Sequence, residues 1–286
     1  MSGKDLHKKA FDDGTKAKLE IFEDYAEAWL PTFIISDVPR IAIFDFFAGQ
    51  GYDLSNVLGS AIRILEKIKG QIDNIKLHNT TIDLYLNEFK KNKLDLLHTA
   101  CESFIRTTPD IAKVVEIHYS QDDFEESFLR LQTRIGEIPS LVYLDQNGIK
   151  AIAPKFFQEL EKKVQTDFLY FLSSSYFWRF GDSEEFKTYL DFDAAKAREN
   201  PYKFIHRYIL EQIKKGLPDD TKLQLYPYSI KKGANIHGII FGASHPLAVD
   251  KFLRIAWKKN DTNGEANFDI DEDFSKAQPD LWGQKN

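Results

Sequence analysis

Asp45, Gly49 and Gly51 stand in the string Asp45-Phe46-Phe47-Ala48-Gly49-Gln50-Gly51-Tyr52, directly after the apolar run Ile41-Ala42-Ile43-Phe44. A carboxylate followed by two glycines at this spacing suits a turn whose backbone passes close under a ligand. Glycine has no Cβ to hold the ligand off and tolerates φ > 0. Two phosphate-binding turns are disfavoured by single positions. The dinucleotide fingerprint asks for a third glycine where Leu54 stands, and a P-loop closes on Gly-Lys-Ser/Thr, which is absent here. The same glycines also serve a purely structural strand-to-helix turn.

Other residues suited to chemistry follow later strands. Tyr119-Ser120-Gln121-Asp122-Asp123-Phe124 closes the third predicted strand. Asp145 closes the fourth, leading into Gln146-Asn147-Gly148. An acid at a strand end can accept a hydrogen bond from an amine or act as a base; an Asp-x-Asn-Gly turn also needs no function. Tyr176, Phe177 and Trp178 lie in a polar-then-aromatic loop after the fifth strand. His98 and Cys101 are three apart on one helical face, a spacing that core packing explains, and no metal site is expected.

The elements that must position these residues read as alternating strands and helices. A helix from Thr15 to Leu30 carries the stripe Leu19, Phe22, Ala26 and Trp29, and Pro31 stops it; Lys16 and Lys18 stand near its start. A strand over 41–47 leads to a helix over 55–69, then a short strand over 74–79 ending on Asn79. A long helix over 81–106, a strand over 113–118 and a helix from Phe124 with Asp122 as N-cap come next. Strands over 140–144 and 167–172 flank a helix over 154–164, and 183–215 reads as an aromatic-rich helical insertion broken at Asn200-Pro201. Strands 222–230 and 236–243 form a hairpin, and an amphipathic helix follows His245-Pro246. The expected division is a helical extension over 1–35, an α/β domain over 36–260 with its insertion at about 182–216, and an acidic tail over 261–286.

Composition bounds the function classes. In 286 residues, 43% are hydrophobic and 14% aromatic, ample for a core. No run of eighteen apolar residues is present, so no membrane span is expected. The first ten residues are polar and lysine-rich, so no secretory signal is expected either. The single Cys101 excludes an internal disulfide and a cysteine-rich zinc site, and the expected location is cytoplasmic. A net charge of −6 argues against non-specific nucleic-acid binding by charge alone.

The string Asp-x-Phe-x-Gly-x-Gly at 45–51 resembles the first motif of class I S-adenosylmethionine-dependent methyltransferases, in the form common among those acting on nucleic acids. Five β-α units closed by a hairpin is also that class's order. The implied fold is an α/β Rossmann-like class I methyltransferase fold, a mostly parallel sheet with a terminal antiparallel hairpin. The resemblance implies that Gly49 and Gly51 pass under the methionine part of S-adenosylmethionine and that Asp45 orients its neighbourhood. Asn79 takes the place of the usual ribose-binding acid, with Asp83 as a substitute. Asp123 and Phe124 would meet the adenine, and Asp145 would lie near the methyl group. A base flipped from a duplex would stack on Tyr176, Phe177 or Trp178.

A closer likeness joins Lys-x-x-Ile-Phe-x-x-Tyr-x-x-x-Trp-Leu-Pro at 18–31, Asp-x-Phe-Ala-Gly-x-Gly at 45–51, Leu-Asp-x-x-Gly at 144–148 and His-Pro-x-x-x-x-x-Phe-Leu-x-x-x-Trp-Lys at 245–258. This order resembles the three-Cys-motif partner family, bacterial and phage-borne, whose members usually read Asp-Pro-Phe-Gly where this chain has Asp145-Gln146-Asn147-Gly148. The resemblance implies a three-cysteine-motif protein encoded nearby and a setting among phage-defence or mobile genes. Two functions stand side by side. One is a methyltransferase acting on a nucleic acid or nucleotide; the other is a catalytically silent Rossmann-like module that supports its partner.

Overall fold

β1 (Arg40–Asp45) is buried from Ile41 to Asp45, so both of its faces must be covered by other elements. A computed structural model describes residues 10–145, 154–163, 165–172, 204–232, 235–260 and 262–272 of the chain. β1 lies inside a seven-stranded sheet with β2 (Thr81–Asn87), β3 (Val115–Ser120), β4 (Ser140–Asp145), β5 (Thr166–Leu172), β6 (Gln224–Lys232) and β7 (Asn235–Ala243). The order is β3-β2-β1-β4-β5-β7-β6; β1 to β5 run parallel and β7 is antiparallel to both of its neighbours. This is the predicted α/β Rossmann-like class I methyltransferase order. The order reverses between β1 and β4, and the carboxyl ends of strands at such a point are where open α/β sheets hold ligands.

Among the described residues eight α-helices accompany the sheet: α1 (Asp13–Ile34), α2 (Ser60–Gly70), α3 (Ile72–Leu77), α4 (Lys91–Thr107), α5 (Phe124–Leu131), α6 (Pro154–Glu161), α7 (Ile205–Lys215) and α8 (Pro246–Lys259). One face of the sheet packs into a core with α1, α2, α4 and α8. The other face packs with α5, α6 and α7. α1 continues through Pro31 rather than stopping there. Salt bridges join it to α2 through Lys67 and Glu23 (3.0 Å) and to α8 through Lys259 and Asp24 (3.0 Å). Beyond α8, Ser229 exchanges backbone bonds with the 265–267 segment, and Arg207 on α7 binds Glu265 and Asp271. Part of the predicted tail therefore lies against the sheet's edge and α7.

Three further sequence expectations are corrected. The strand predicted over 74–79 is helical, and β2 occupies 81–87, where a helix is predicted. Ile82, Leu86 and Phe89 satisfy helical spacing, but Ile82, Leu84 and Leu86 also alternate, and β1 and β3 pair with this segment on both sides. Tertiary pairing decides such ambiguous runs. α2 begins at Ser60 instead of 55 because Asp53 Oδ1 accepts the amides of Ser55 (2.7 Å) and Val57 (2.8 Å), holding the preceding residues in a turn. Finally, the N-cap of α5 is Asp123, not Asp122. No helix among the described residues is long and apolar enough to cross a membrane.

The turn after β1 is pressed against α4. A Cβ on Gly51 would stand 2.7 Å from the Ala100 Cβ, and Gly51 has φ +87°. Gly51→Ala should therefore destabilise the chain by about 1–3 kcal/mol from backbone strain alone, with the clash added. Urea denaturation of Gly51→Ala, Ala100→Gly and the double variant gives the check: the pair should cost less than the sum of the two single changes.

Candidate functional site

Lys18 reaches the sheet because it occupies the same stripe of α1 as Phe22, Tyr25 and Trp29. It is buried despite its charge. Phe22 stacks on Tyr143 of β4 with ring centroids 3.9 Å apart, which seats the start of α1 over the ends of β4 and β5. There the Lys18 ammonium donates to Asp145 Oδ2 and lies 4.3 Å from the Phe171 ring centroid. Asp145 Oδ1 is buried and has no hydrogen-bond partner among the described residues.

Asp45 ends β1 beside this pair and is itself buried. Its Oδ1 accepts the Phe47 amide at 3.0 Å and its Oδ2 accepts the Ser60 hydroxyl at 2.5 Å, so the first residue of α2 is tied to the end of β1. Burial pushes the Asp45 carboxyl up to about 7; the Ser60 and Phe47 hydrogen bonds oppose this, the Asp145 charge adds to it and Lys18 opposes it. Tyr143 pairs with Asp45 across the β1–β4 ladder. Its buried hydroxyl has no partner among the described residues and is held well above the usual phenol range by burial and by both acids. The result is two carboxyls and one ammonium at the switch point of the sheet.

The loop from Phe46 to Gly59 stands next to these acids. Gly49 and Gly51 both have positive φ, at +68° and +87°. Gly59 donates to the Gly51 carbonyl at 2.7 Å, and Asp53 Oδ2 accepts the Phe11 amide at 2.6 Å, which ties down the segment before α1. Asn87, the last residue of β2, laces three strand ends together. Its amide donates to the carbonyls of Phe46 (3.2 Å) and Asp122 (3.0 Å), while its Oδ1 accepts from Ser120 (2.8 Å) and the Asp122 amide (3.1 Å). Glu88 follows immediately, half-buried, with Oε1 accepting the Lys90 amide at 2.8 Å.

The structure brings most of the sequence-predicted residues to one edge of the sheet. Asp45, Gly49, Gly51 and Asp145 surround the switch point, and Asp123 and Phe124 lie after β3. Asp123 caps α5 through the Glu126 amide (2.9 Å), and Phe124 is buried against Phe47 at 5.3 Å between ring centroids. Asn79 is a correction. It sits in the turn before β2 with φ +52°, at the amino end of the strand and so on the opposite edge of the sheet. Asp83, its predicted substitute, is buried within β2 and answered by Arg40 (3.1 Å) and Arg134 (3.0 Å). Tyr176, Phe177 and Trp178 lie outside the described residues.

Asp83 also gathers with Glu116 and His118 in a group of metal-ligand type. Arg40 contacts both of its carboxylates, at 3.1 and 2.5 Å, so an ion-pair network occupies these oxygens. His98 stacks on Tyr119 at 3.6 Å and Cys101 is buried; burial pushes its thiol up to about 11. Sequence reasoning missed Lys18, Ser60, Asn87 and Glu88. The signal for Lys18 was its spacing of four from Phe22, on the buried stripe.

The raised Asp45 makes a pH prediction. Its folded-state value of about 7 lies above the ordinary 3.8, so the folded protein keeps a proton that the unfolded chain releases. The associated stability is fully present below about pH 4 and is lost as pH rises through 7. Asp167 has the same sign, with burial raising it to about 6. Urea midpoints measured from pH 4.5 to 8 should fall for the wild type and fall less for Asp45→Asn. An equal slope in both would contradict the placement of Asp45.

No protein-family profile matches the chain, and no curated protein matches it. Among solved structures it is similar to the crystal structure of DszA carbon methyltransferase, at 12% identity and a TM-score of 0.38, over 74% of this chain. The chain spans about half of that protein, 51% of its length. The fold stated above rests on the strand order of the chain itself.

Proposed function

We propose that the chain is an S-adenosylmethionine-binding methyltransferase whose site is the crevice at the carboxyl ends of β1 to β4. The observation that carries this reading is the loop after β1. Two glycines at positive φ lie at the reversal of strand order, beside a buried Asp145 oxygen that has no donor among the described residues. S-adenosylmethionine supplies an electrophilic methyl group on a sulfonium.

The residues present suit that ligand. Gly49 and Gly51 open the backbone toward the methionine part, with Asp45 setting the turn through the Phe47 amide. Glu88 supplies the acid at the end of β2 that the methyltransferase pattern assigns to the ribose hydroxyls. A carboxylate there makes charge-assisted hydrogen bonds, about twice as strong as neutral ones. Phe124 borders the adenine position. Asp145 accepts a hydrogen bond from the acceptor amine and takes its proton, once the Lys18 contact loosens or turns aside. The substrate is a nucleic acid or nucleotide, as the likeness at 45–51 suggests. The partner is a three-cysteine-motif protein encoded nearby, in a phage-defence or mobile setting.

A second reading is favoured by one observation. Lys18 already satisfies Asp145 Oδ2 within a buried cluster. An ion pair sealed in this way suits a silent module that only supports a partner protein.

Labelled S-adenosylmethionine in equilibrium dialysis tests cofactor binding. Gly49→Val should abolish retention without unfolding the chain, and Glu88→Gln should weaken it roughly tenfold, the loss of one charge-assisted bond of about 1.5 kcal/mol. Methyl transfer to total nucleic acid, with and without the partner, tests catalysis. Asp145→Ala should lower it by about 10²–10⁴-fold at nearly unchanged cofactor affinity. Retention without any transfer would leave the support reading, and equal retention in wild type and Gly49→Val would make the turn structural.

A further inference from the structure

At the opposite edge of the sheet, where β5 begins and β7 ends, a cavity of about 680 Å³ opens between α1, α8, residues 161–163 and 165, and the segment 220–222. That volume lies within the range of small-molecule sites, about 300–1,000 Å³. One wall is aromatic: Tyr25 and Trp29 of α1 form it, with Phe33 at 4.9 Å from Trp29 between ring centroids. The same cavity is lined by the first two residues of β5, and both carry polar side chains. Thr166 is 2% exposed and turns its side chain to the face of the sheet opposite Asp167. Asp167 is 7% exposed, and the Tyr25 hydroxyl donates to its Oδ2 at 2.7 Å.

The other wall is cationic. Lys163, Lys222 and Lys251 line it. Lys251 is anchored by donation to the Ala28 carbonyl (3.0 Å) and to the Thr32 hydroxyl, which fixes its ammonium at the cavity. His245 caps α8 by accepting the Leu247 amide on Nδ1 at 3.2 Å, so its ring proton resides on Nε2 as a donor. The positive end of the α8 dipole meets the same space. Glu161 and Asp220 stand at the rim, with Glu161 bonded to the Thr221 hydroxyl at 2.7 Å.

We propose that this cavity binds a nucleotide-like molecule, a flat nitrogen heterocycle carrying an anionic group. The ring lies against Phe33 and the Tyr25–Trp29 wall. Its N–H groups donate to Asp167. The anionic group meets Lys222, Lys251 and His245. The site is separate from the crevice at the carboxyl ends of the strands, and nothing in it depends on methyl transfer.

Calorimetric titration of the full chain with the four common nucleoside monophosphates, with the matching nucleosides and with inorganic phosphate tests the proposal. At least one monophosphate should bind saturably at one site, with its nucleoside and phosphate alone each at least tenfold weaker. Asp167→Asn, which keeps the side-chain shape, and Lys222→Glu should each weaken the monophosphate at least tenfold. Lys91→Glu, an exposed charge reversal on α4, should leave its affinity unchanged. Absence of saturable binding by all four would overturn the proposal. So would wild-type affinity in both Asp167→Asn and Lys222→Glu, or phosphate alone binding as tightly as the monophosphate.

Discussion

Two carboxyls at the ends of neighbouring parallel strands share one lysine, and the organisation of the upper edge follows from that. Asp45 and Asp145 are brought together by the β1–β4 ladder, in which Asp45 stands opposite Tyr143. Both lie where water is largely excluded, and two like charges there repel strongly. Lys18 answers Asp145, while burial holds Asp45 near neutral water's pH. Removing the ammonium from such a pair leaves an uncompensated charge, typically a loss of about 3–5 kcal/mol. α1 must therefore lie across the sheet, and the rings of Phe22 and Tyr143 fix its angle. Arg63 on α2 pairs with Glu23 and Lys259 on α8 with Asp24, which lock α1 from both sides.

The strand ends need a second device, since three loops leave the sheet side by side. Asn87 serves it as a neutral amide, donating and accepting at once. A carboxylate at this position could only accept and would leave the carbonyls of Phe46 and Asp122 facing it. The acid instead stands one residue later, at Glu88, which is half-buried and keeps part of its surface open. The division of labour is physical: the buried position takes the group that can be fully satisfied within the chain, and the open position takes the charge.

Much of this was legible in the sequence where burial and periodicity agree. Ile41–Phe44 could only be a strand covered on both faces, and the glycines after Asp45 announced a turn requiring positive φ. The hairpin at 224–243 followed from spacing and turn residues. β2 was not legible, because Thr81–Asn87 satisfies two periods at once and only its neighbours on both sides choose between them. That single misreading placed the acid expected at the end of β2 at Asn79 instead. Lys18 was hidden for a different reason. A lysine on an apolar stripe reads as an outward-reaching side chain until the acid opposite is known, and Asp145 is 127 residues away along the chain.

α1 connects the two ends of the molecule, with Lys18 at the carboxyl edge of the sheet and Trp29 at the cavity beneath it. Its position is set by the charge cluster, and the cluster in turn defines the crevice assigned to the cofactor. The most direct measurement follows the Asp45 carboxyl by carbon NMR as pH is varied, with and without S-adenosylmethionine. The account predicts a midpoint near 7 in the free protein. It predicts a lower midpoint with the ligand, whose ammonium and sulfonium add positive charge beside the turn. An Asp45 that titrates in the ordinary carboxylate range, or one that does not respond to saturating ligand, would contradict it.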